Sequence, residues 1–190
     1  EMVDLSNAKS FNEIIQKLKK SNNKKEGEWL VGYGWYQNAW EEKTWPNNSL
    51  LNENFKNINV VINRIDGHAI MANECAIRFS NISKDTLVNG GHIEKINNKL
   101  TGIFIDNAMN LIINNIPKPD EKTKKKALMN AQEQCLSHGL TTVDIAGLNK
   151  EDINLIEKLQ STNELKIKVF AMLNDNEENF KFYIDSIRKP

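Results

Sequence analysis

The chain has 190 residues, and its 25 Lys+Arg are balanced by 25 Asp+Glu. Zero net charge argues against a large nonspecific nucleic-acid footprint, and no apolar run approaches the about 20 residues of a membrane span. Two cysteines, Cys75 and Cys135, are too few for a disulfide scaffold, and no charged, then apolar, then small-residue leader opens the sequence. The length suits one domain, two at most. Lys outnumbers Arg 22 to 3 and Asn occurs 28 times; coding bias in an AT-rich genome is the simple reading. So few arginines leave few planar forks for clamping phosphates. The chain opens on Glu1 and leads straight into patterned sequence, which suggests a piece of something longer.

Ser10 followed by Glu13, with Phe11, Ile14, Ile15 and Leu18 at helical spacing, predicts a helix over Phe11–Lys20. Glu28–Trp35 reads as a short strand running into a glycine-bearing turn, and Trp35, Trp40 and Trp45 fall in a loop-like region with Pro46. A short helix fits Asn48–Asn54. The run Val60-Val61-Ile62 marks a buried strand over Asn59–Ile65, with Asp66-Gly67-His68 at its end. Ala69–Phe79 has helical composition. Residues 90–106 read as a β-hairpin turning at Asn97-Asn98-Lys99. A short helix over Asn107–Asn115 stops before Pro117 and Pro119. A long amphipathic helix is expected over Asp120–His138, with Ala127, Leu128, Ala131, Cys135 and Leu136 on its apolar face and Gly139 as its stop. Then strand Thr141–Ile145, helix Lys150–Gln160, strand Lys166–Leu173 and helix Glu177–Ile187 alternate, the rhythm of βαβ units and a parallel sheet.

His-x-His, His-Glu-x-x-His and Cys-x-x-Cys are absent, as are Gly-x-Ser-x-Gly and phosphate-binding glycine loops. Gly32-Tyr33-Gly34, two glycines without the rest of a dinucleotide fingerprint, reads as a plain turn. Asp66-Gly67-His68 is the most suggestive local feature, because ligands of parallel α/β folds collect at the carboxyl ends of strands. There His68 either contacts substrate and moves protons or simply bonds to backbone. Asp144 either lines the same mouth or caps the turn through Gly147. Trp35 and Trp40 either wall a pocket or pack under a loop. Cys135 fits a structural thiol, Cys75 lacks an activating partner, His138 fits a helix C-terminus, and His92 falls in the hairpin. The Lys122 and Lys124–Lys126 cluster reads as a solvated helix face.

Five segments stand in a telling order: Val3–Ile15, Gly27–Trp40, Arg64-Ile65-Asp66-Gly67-His68-Ala69, Leu100–Met109 and Gly139-Leu140-Thr141-Thr142-Val143-Asp144. Together they resemble the amidohydrolase-3 branch of the metal-dependent amidohydrolase superfamily, over nearly the whole chain. The resemblance implies a (β/α)8 barrel with a small β-sandwich in a protein of several hundred residues. It also implies hydrolysis of amide-type C–N bonds by a metal-activated water, although some members carry an exoenzyme-regulation label instead. The family's His-x-His pair falls just upstream of the segment matching Val3. Its metal-bridging lysine, two later histidines and final aspartate fall beyond Pro190. Asp144 departs from the pattern, in which a histidine commonly follows the Gly-Leu-Thr-x-Val run.

The expectation is therefore an α/β chain: the N-terminal half of a (β/α)8 TIM-type barrel, one incomplete domain over 1–190, with an inserted hairpin near 88–106. His68, Asp66, Trp35, Trp40 and Asp144 are the candidate substrate-binding residues. No catalytic residue and no metal ligand is assigned here. A divalent metal, zinc by the resemblance, belongs to the full-length parent and not to this piece, which is expected to be inactive alone. The partner is a small-molecule substrate, without nucleic acid or membrane, and open strand edges favour self-association. Two alternatives stand: a non-catalytic regulatory or binding module on the same scaffold, or a free-standing small α/β binding protein. Localisation is open; unpaired cysteines lean toward a reducing compartment, but a removed signal peptide leaves no trace in this sequence.

Overall fold

The first helix, α1 (Phe11–Ser21), begins where its capping residues dictate. The Ser10 hydroxyl accepts from the Glu13 N–H at 3.2 Å, and the Glu13 carboxylate reaches back to the Lys9 N–H at 2.9 Å. Ile14, Ile15 and Leu18 form its buried stripe. This is a computed structural model, and it describes residues 2–187. The chain divides into two compact units, one ending at Pro117 and one beginning at Lys118.

The first unit is built on a six-stranded mixed sheet. Its strands are β1 (Val3–Asp4), β2 (Trp29–Trp35), β3 (Asn59–Arg64), β4 (Ala69–Ala72), β5 (Gly91–Ile96) and β6 (Lys99–Asp106), in the order β1-β2-β3-β4-β6-β5. β1, β2 and β3 are parallel neighbours, whereas the β3–β4, β4–β6 and β6–β5 pairs are antiparallel. Both faces are covered. On one, Leu30, Val60, Ile62, Met71 and Ile103 pack with α1 and with Leu51 of α2 (Ser49–Asn54). On the other, Val61, Ile70, Ala72 and Phe104 pack with Ala76 and Ile77 of α3 (Glu74–Phe79) and Ile112 of α4 (Asn110–Ile113). Burial on two faces is why β3 reads as an unbroken apolar run rather than an alternation.

One expectation changes here. Ala69–Phe79 is not one helix. Ala69–Ala72 is a strand buried between β3 and β6, and the helix begins only after Asn73 caps it. Short apolar runs do not distinguish buried strand from buried helix by periodicity, and sheet pairing decides. The expected hairpin is present, and Ala69, Ile70 and Met71 pair with Ile105, Phe104 and Ile103, so β5 and β6 extend the main sheet.

Asn73 fixes this junction. Its Oδ1 accepts from the N–H groups of Val60 and Ala76, both at 3.0 Å. Its Nδ2 donates to the carbonyls of Phe55 (2.9 Å) and Ile58 (2.8 Å). All four hydrogen-bonding positions of a fully buried amide are thereby filled.

The second unit contains α5 (Glu121–Ser137), β7 (Thr142–Leu148), α6 (Lys150–Ser161), β8 (Lys168–Leu173) and α7 (Glu177–Ile187). β7 and β8 pair in parallel across the α6 crossover, as the strand–helix rhythm predicts. Leu155, Ile156, Leu159, Leu165 and Ile167 form its core. The long helix is less amphipathic in burial than in sequence: Ala127, Ala131 and Leu136 are exposed, and the buried residue is Gln132. Gln132 holds the approach to β8, its Oε1 accepting from the N–H groups of Lys166 and Ile167 and its Nε2 donating to the Glu164 carbonyl. Phe170 and Met172 of β8 are exposed, Phe170 by 63%.

Candidate functional site

Strand direction gathers the polar residues of the first unit. β6 is antiparallel to β4 and β4 to β3, so β1, β2, β3 and β6 all finish at one edge of the sheet. Asp4, Arg64 and Asp106 end three of these strands, and Asp66-Gly67-His68 is the turn that joins β3 to β4 at the same edge. The triplet therefore sits in a β-hairpin turn, with Gly67 at φ +74, rather than in a loop between strand and helix.

Arg64, one of only three arginines in the chain, is the anchor. Its guanidinium pairs with the Asp66 carboxylate and donates through Nε to Gln37 Oε1 at 3.0 Å. It lies over the rings of Trp45 (5.1 Å) and Tyr36 (5.7 Å). A planar cation suits this combination of fork and ring stacking where a lysine does not. Asp66 also accepts from the His68 N–H at 3.2 Å, which shapes the turn.

His68 projects from that turn with its side chain 75% exposed, and its Nδ1 lies 3.0 Å from Asp106 Oδ1. The Asp106 N–H donates to the His68 carbonyl at 3.1 Å, so the two residues are tied by backbone and side chain together. On β1, Asp4 accepts from the Ser6 N–H (2.9 Å) and hydroxyl (2.6 Å). These bonds, with Lys17 nearby, hold its carboxyl below the usual aspartate range.

Of the other expected site residues, Trp35 ends β2 at this same edge, with Arg64 as its register partner on β3. Trp35 and Trp40 are buried, and their indole N–H groups donate to the carbonyls of Ile62 (3.4 Å) and Ala8 (2.9 Å). Their centroids are 6.1 Å apart, and Trp35 meets Trp45 edge-on at 5.7 Å. They are core, not the open wall of a pocket; a large aromatic whose polar handle is satisfied inside is stable there. Asp144 belongs to the second unit, exposed within β7 opposite Phe170 rather than beyond the strand's end. His92 is exposed and bonds Glu94 at 3.1 Å, and His138 caps the end of α5.

Arg64, Gln37 and Asp106 are not among the site residues that the sequence singles out. Arg64 carries a signal in its rarity beside 22 lysines. Asp106 follows an apolar strand just as Asp66 does, and the same logic extends to it. Gln37, one residue in a short turn, carries none.

The carboxylates at this edge do not converge on a cation. Asp4 is engaged by Ser6, Asp66 by Arg64 and Asp106 by His68. Among the described residues no group of three or more His, Cys, Asp or Glu side chains is arranged to hold a metal ion. The residues present do not by themselves fit the metal that the hydrolase resemblance implies.

The amidohydrolase family profile matches residues 1–185. A provisionally named amidohydrolase of Bacillus subtilis, YtcJ, is 32% identical over 155 residues, covering 80% of this chain and 28% of that protein. The Arabidopsis thaliana protein LONG AFTER FAR-RED 3 is 31% identical over 125 residues, covering 64% of this chain and 21% of that one. Among solved structures, an uncharacterized metal-dependent hydrolase from Pyrococcus horikoshii superposes with a TM-score of 0.61 at 28% identity, over 91% of this chain and 33% of that one. One from Pyrococcus furiosus gives 0.58 at 27% identity, over 91% and 34%. The chain thus spans about a quarter of its curated relatives and a third of the solved ones. With its mixed α/β fold and a family match over residues 1–185, this chain belongs to the amidohydrolase family.

Proposed function

We propose that this chain is part of a metal-dependent hydrolase that cleaves an amide-type C–N bond of a small molecule, and that its strands begin a (β/α)8 barrel. One observation carries the reading: Arg64, Asp66, His68 and Asp106 gather where the parallel strands β1, β2 and β3 end, the edge at which ligands bind in barrels of this kind. Family membership and the two metal-dependent hydrolase structures support it. In this reading the metal, expected to be zinc, is not held by the described residues, and its ligands come from elsewhere in the whole protein. What these residues supply is binding and orientation. His68 reaches outward to the substrate, and the Arg64–Asp66 pair, braced by Gln37, keeps its turn in place.

The test is turnover by the whole protein. Purified with zinc, cobalt or manganese, it is expected to release amine from members of a panel of small N-acyl and N-formyl compounds, and to lose that activity to a chelator. The 190-residue chain alone is expected to show neither turnover nor stoichiometric zinc uptake by calorimetry. Ligand binding by the whole protein without metal-dependent hydrolysis refutes the enzyme reading in favour of a regulatory or binding role.

A further inference from the structure

We propose that Asp106 is a positioning residue for His68, retained in a backbone conformation suited to glycine because its carboxylate fixes which imidazole nitrogen faces the ligand. Asp106 sits at φ 50, ψ −127, where the chain leaves β6 for the tight turn Asn107–Met109. Side chains rarely adopt that conformation and glycine does so freely. Glycine would therefore be the expected occupant if the turn were the only requirement.

The ordinary reason for an aspartate before a helical turn is capping, and it does not apply. The Asp106 side chain makes no hydrogen bond to the turn that follows. Its carboxylate instead meets His68 Nδ1, at 3.0 Å, while its backbone N–H donates to the His68 carbonyl. The turn itself is closely fitted. A Cβ on Gly91, which pairs with Asp106, would lie 2.3 Å from the Ala108 nitrogen. The backbone at 106 therefore has little room to relax, and the unfavourable conformation persists.

The chemistry follows from the acceptor. An ionised carboxylate can only accept, so the neutral ring facing it must carry its proton on Nδ1. The Nε2 lone pair is then available, and Nε2 has no partner among the described residues. An Nε2 acceptor at this edge suits a ligand that presents an N–H, as an amide does. The ligand class rests on the hydrolase reading, whereas the fixed tautomer does not.

The experiment compares wild type with Asp106→Gly in the 190-residue chain, by ¹⁵N–¹H long-range correlation of the histidine rings at a pH where they are neutral. Wild type is expected to show the Nδ1–H tautomer at His68. Asp106→Gly is expected to shift it to the Nε2–H form, while the melting temperature rises by about 3 °C or more as the backbone is relieved. Asp106→Asn, whose amide can meet Nδ1 with either its oxygen or its nitrogen, is expected to give a mixture. It serves if the glycine variant does not fold. An unchanged tautomer in the variants overturns the proposal, and so does a melting temperature that falls by several degrees in Asp106→Gly, which would make Asp106 a structural residue. In the whole protein, Asp106→Gly is expected to lower kcat/KM at least tenfold, and unchanged kcat/KM also overturns it. Absence of turnover by the wild-type whole protein removes the hydrolase reading alone, and the tautomer still decides the role of Asp106.

Discussion

Asn73→Ala is expected to remove most of the stability of the first unit. The amide makes four hydrogen bonds from a fully buried position, with Val60, Ala76, Phe55 and Ile58. The bond to Ile58 is only partly buried, so water can replace it there. Three buried bonds remain to be lost, at about 1 kcal/mol each, and stranded donors and acceptors add their desolvation cost, giving about 3–5 kcal/mol. That is a large share of the roughly 5–15 kcal/mol available to a domain. All four tryptophans precede Lys118, where the second unit begins, so tryptophan fluorescence in a urea titration reports the first unit alone. Asn73→Asp is the sharper variant. It keeps shape and acceptor but turns an oxygen toward the Phe55 and Ile58 carbonyls, and is expected to cost at least as much as alanine. A loss under about 1 kcal/mol for alanine, or wild-type stability for aspartate, would refute the bracket argument.

Gly102→Ala is expected to destabilise the first unit by about 2 kcal/mol or more, read from the same titration. Gly102 has φ +91, and a Cβ would fall 2.5 Å from the Ala72 carbonyl oxygen and 2.6 Å from Asn48 Nδ2. Acid is expected to loosen the second unit. Hydrogen bonds from Thr123, Lys158 and Lys125 hold the carboxyls of Asp120, Glu121 and Glu164 below their ordinary values. Folded values lower than unfolded ones stabilise above the unfolded pKa of about 4, and that stability is lost as pH falls through the folded values. Circular dichroism followed from pH 6 to 2 checks this, and a helical signal insensitive to pH counts against it. The chain is also expected to self-associate, because β1 and β5 are open sheet edges and Phe170 and Met172 are exposed. Light scattering should show mass rising with concentration and falling in Phe170→Glu, and a monomer at all concentrations counts against it.

Local chemistry is the legible part of the fold. Ser10 and Glu13 announce α1, Asn97-Asn98 announces the β5–β6 turn, and both asparagines there have positive φ. Such signals act within a few residues and need no tertiary context. Ala69–Ala72 reads wrongly as helix because nothing in four apolar residues distinguishes a central strand from the first turn of a helix. The distinction lies in Met71 meeting Ile62 and Ile103 across two neighbouring strands. β1 is invisible for a related reason: two residues, Val3 and Asp4, become a strand only by pairing with Gly32 and Tyr33.

The asparagine excess shows where reading composition as background falls short. Coding bias accounts for a supply of asparagine, but not for where Asn73 and Asn179 sit. Asn179 is buried, accepting from the Lys150 N–H at 3.0 Å and donating to the Leu148 and Asn174 carbonyls at 3.0 and 2.8 Å. Each of these amides closes a junction between strand and helix by satisfying backbone groups that no regular ladder reaches. The site behaves the same way. His68 is legible because an ionisable residue after an apolar strand is conspicuous in one dimension. Its partner is not, because Asp106 is 38 residues away. Only the β4–β6 pairing, with Ala69 opposite Ile105, sets the imidazole beside the carboxylate. The residue types are readable from the sequence, whereas their juxtaposition is a property of strand register.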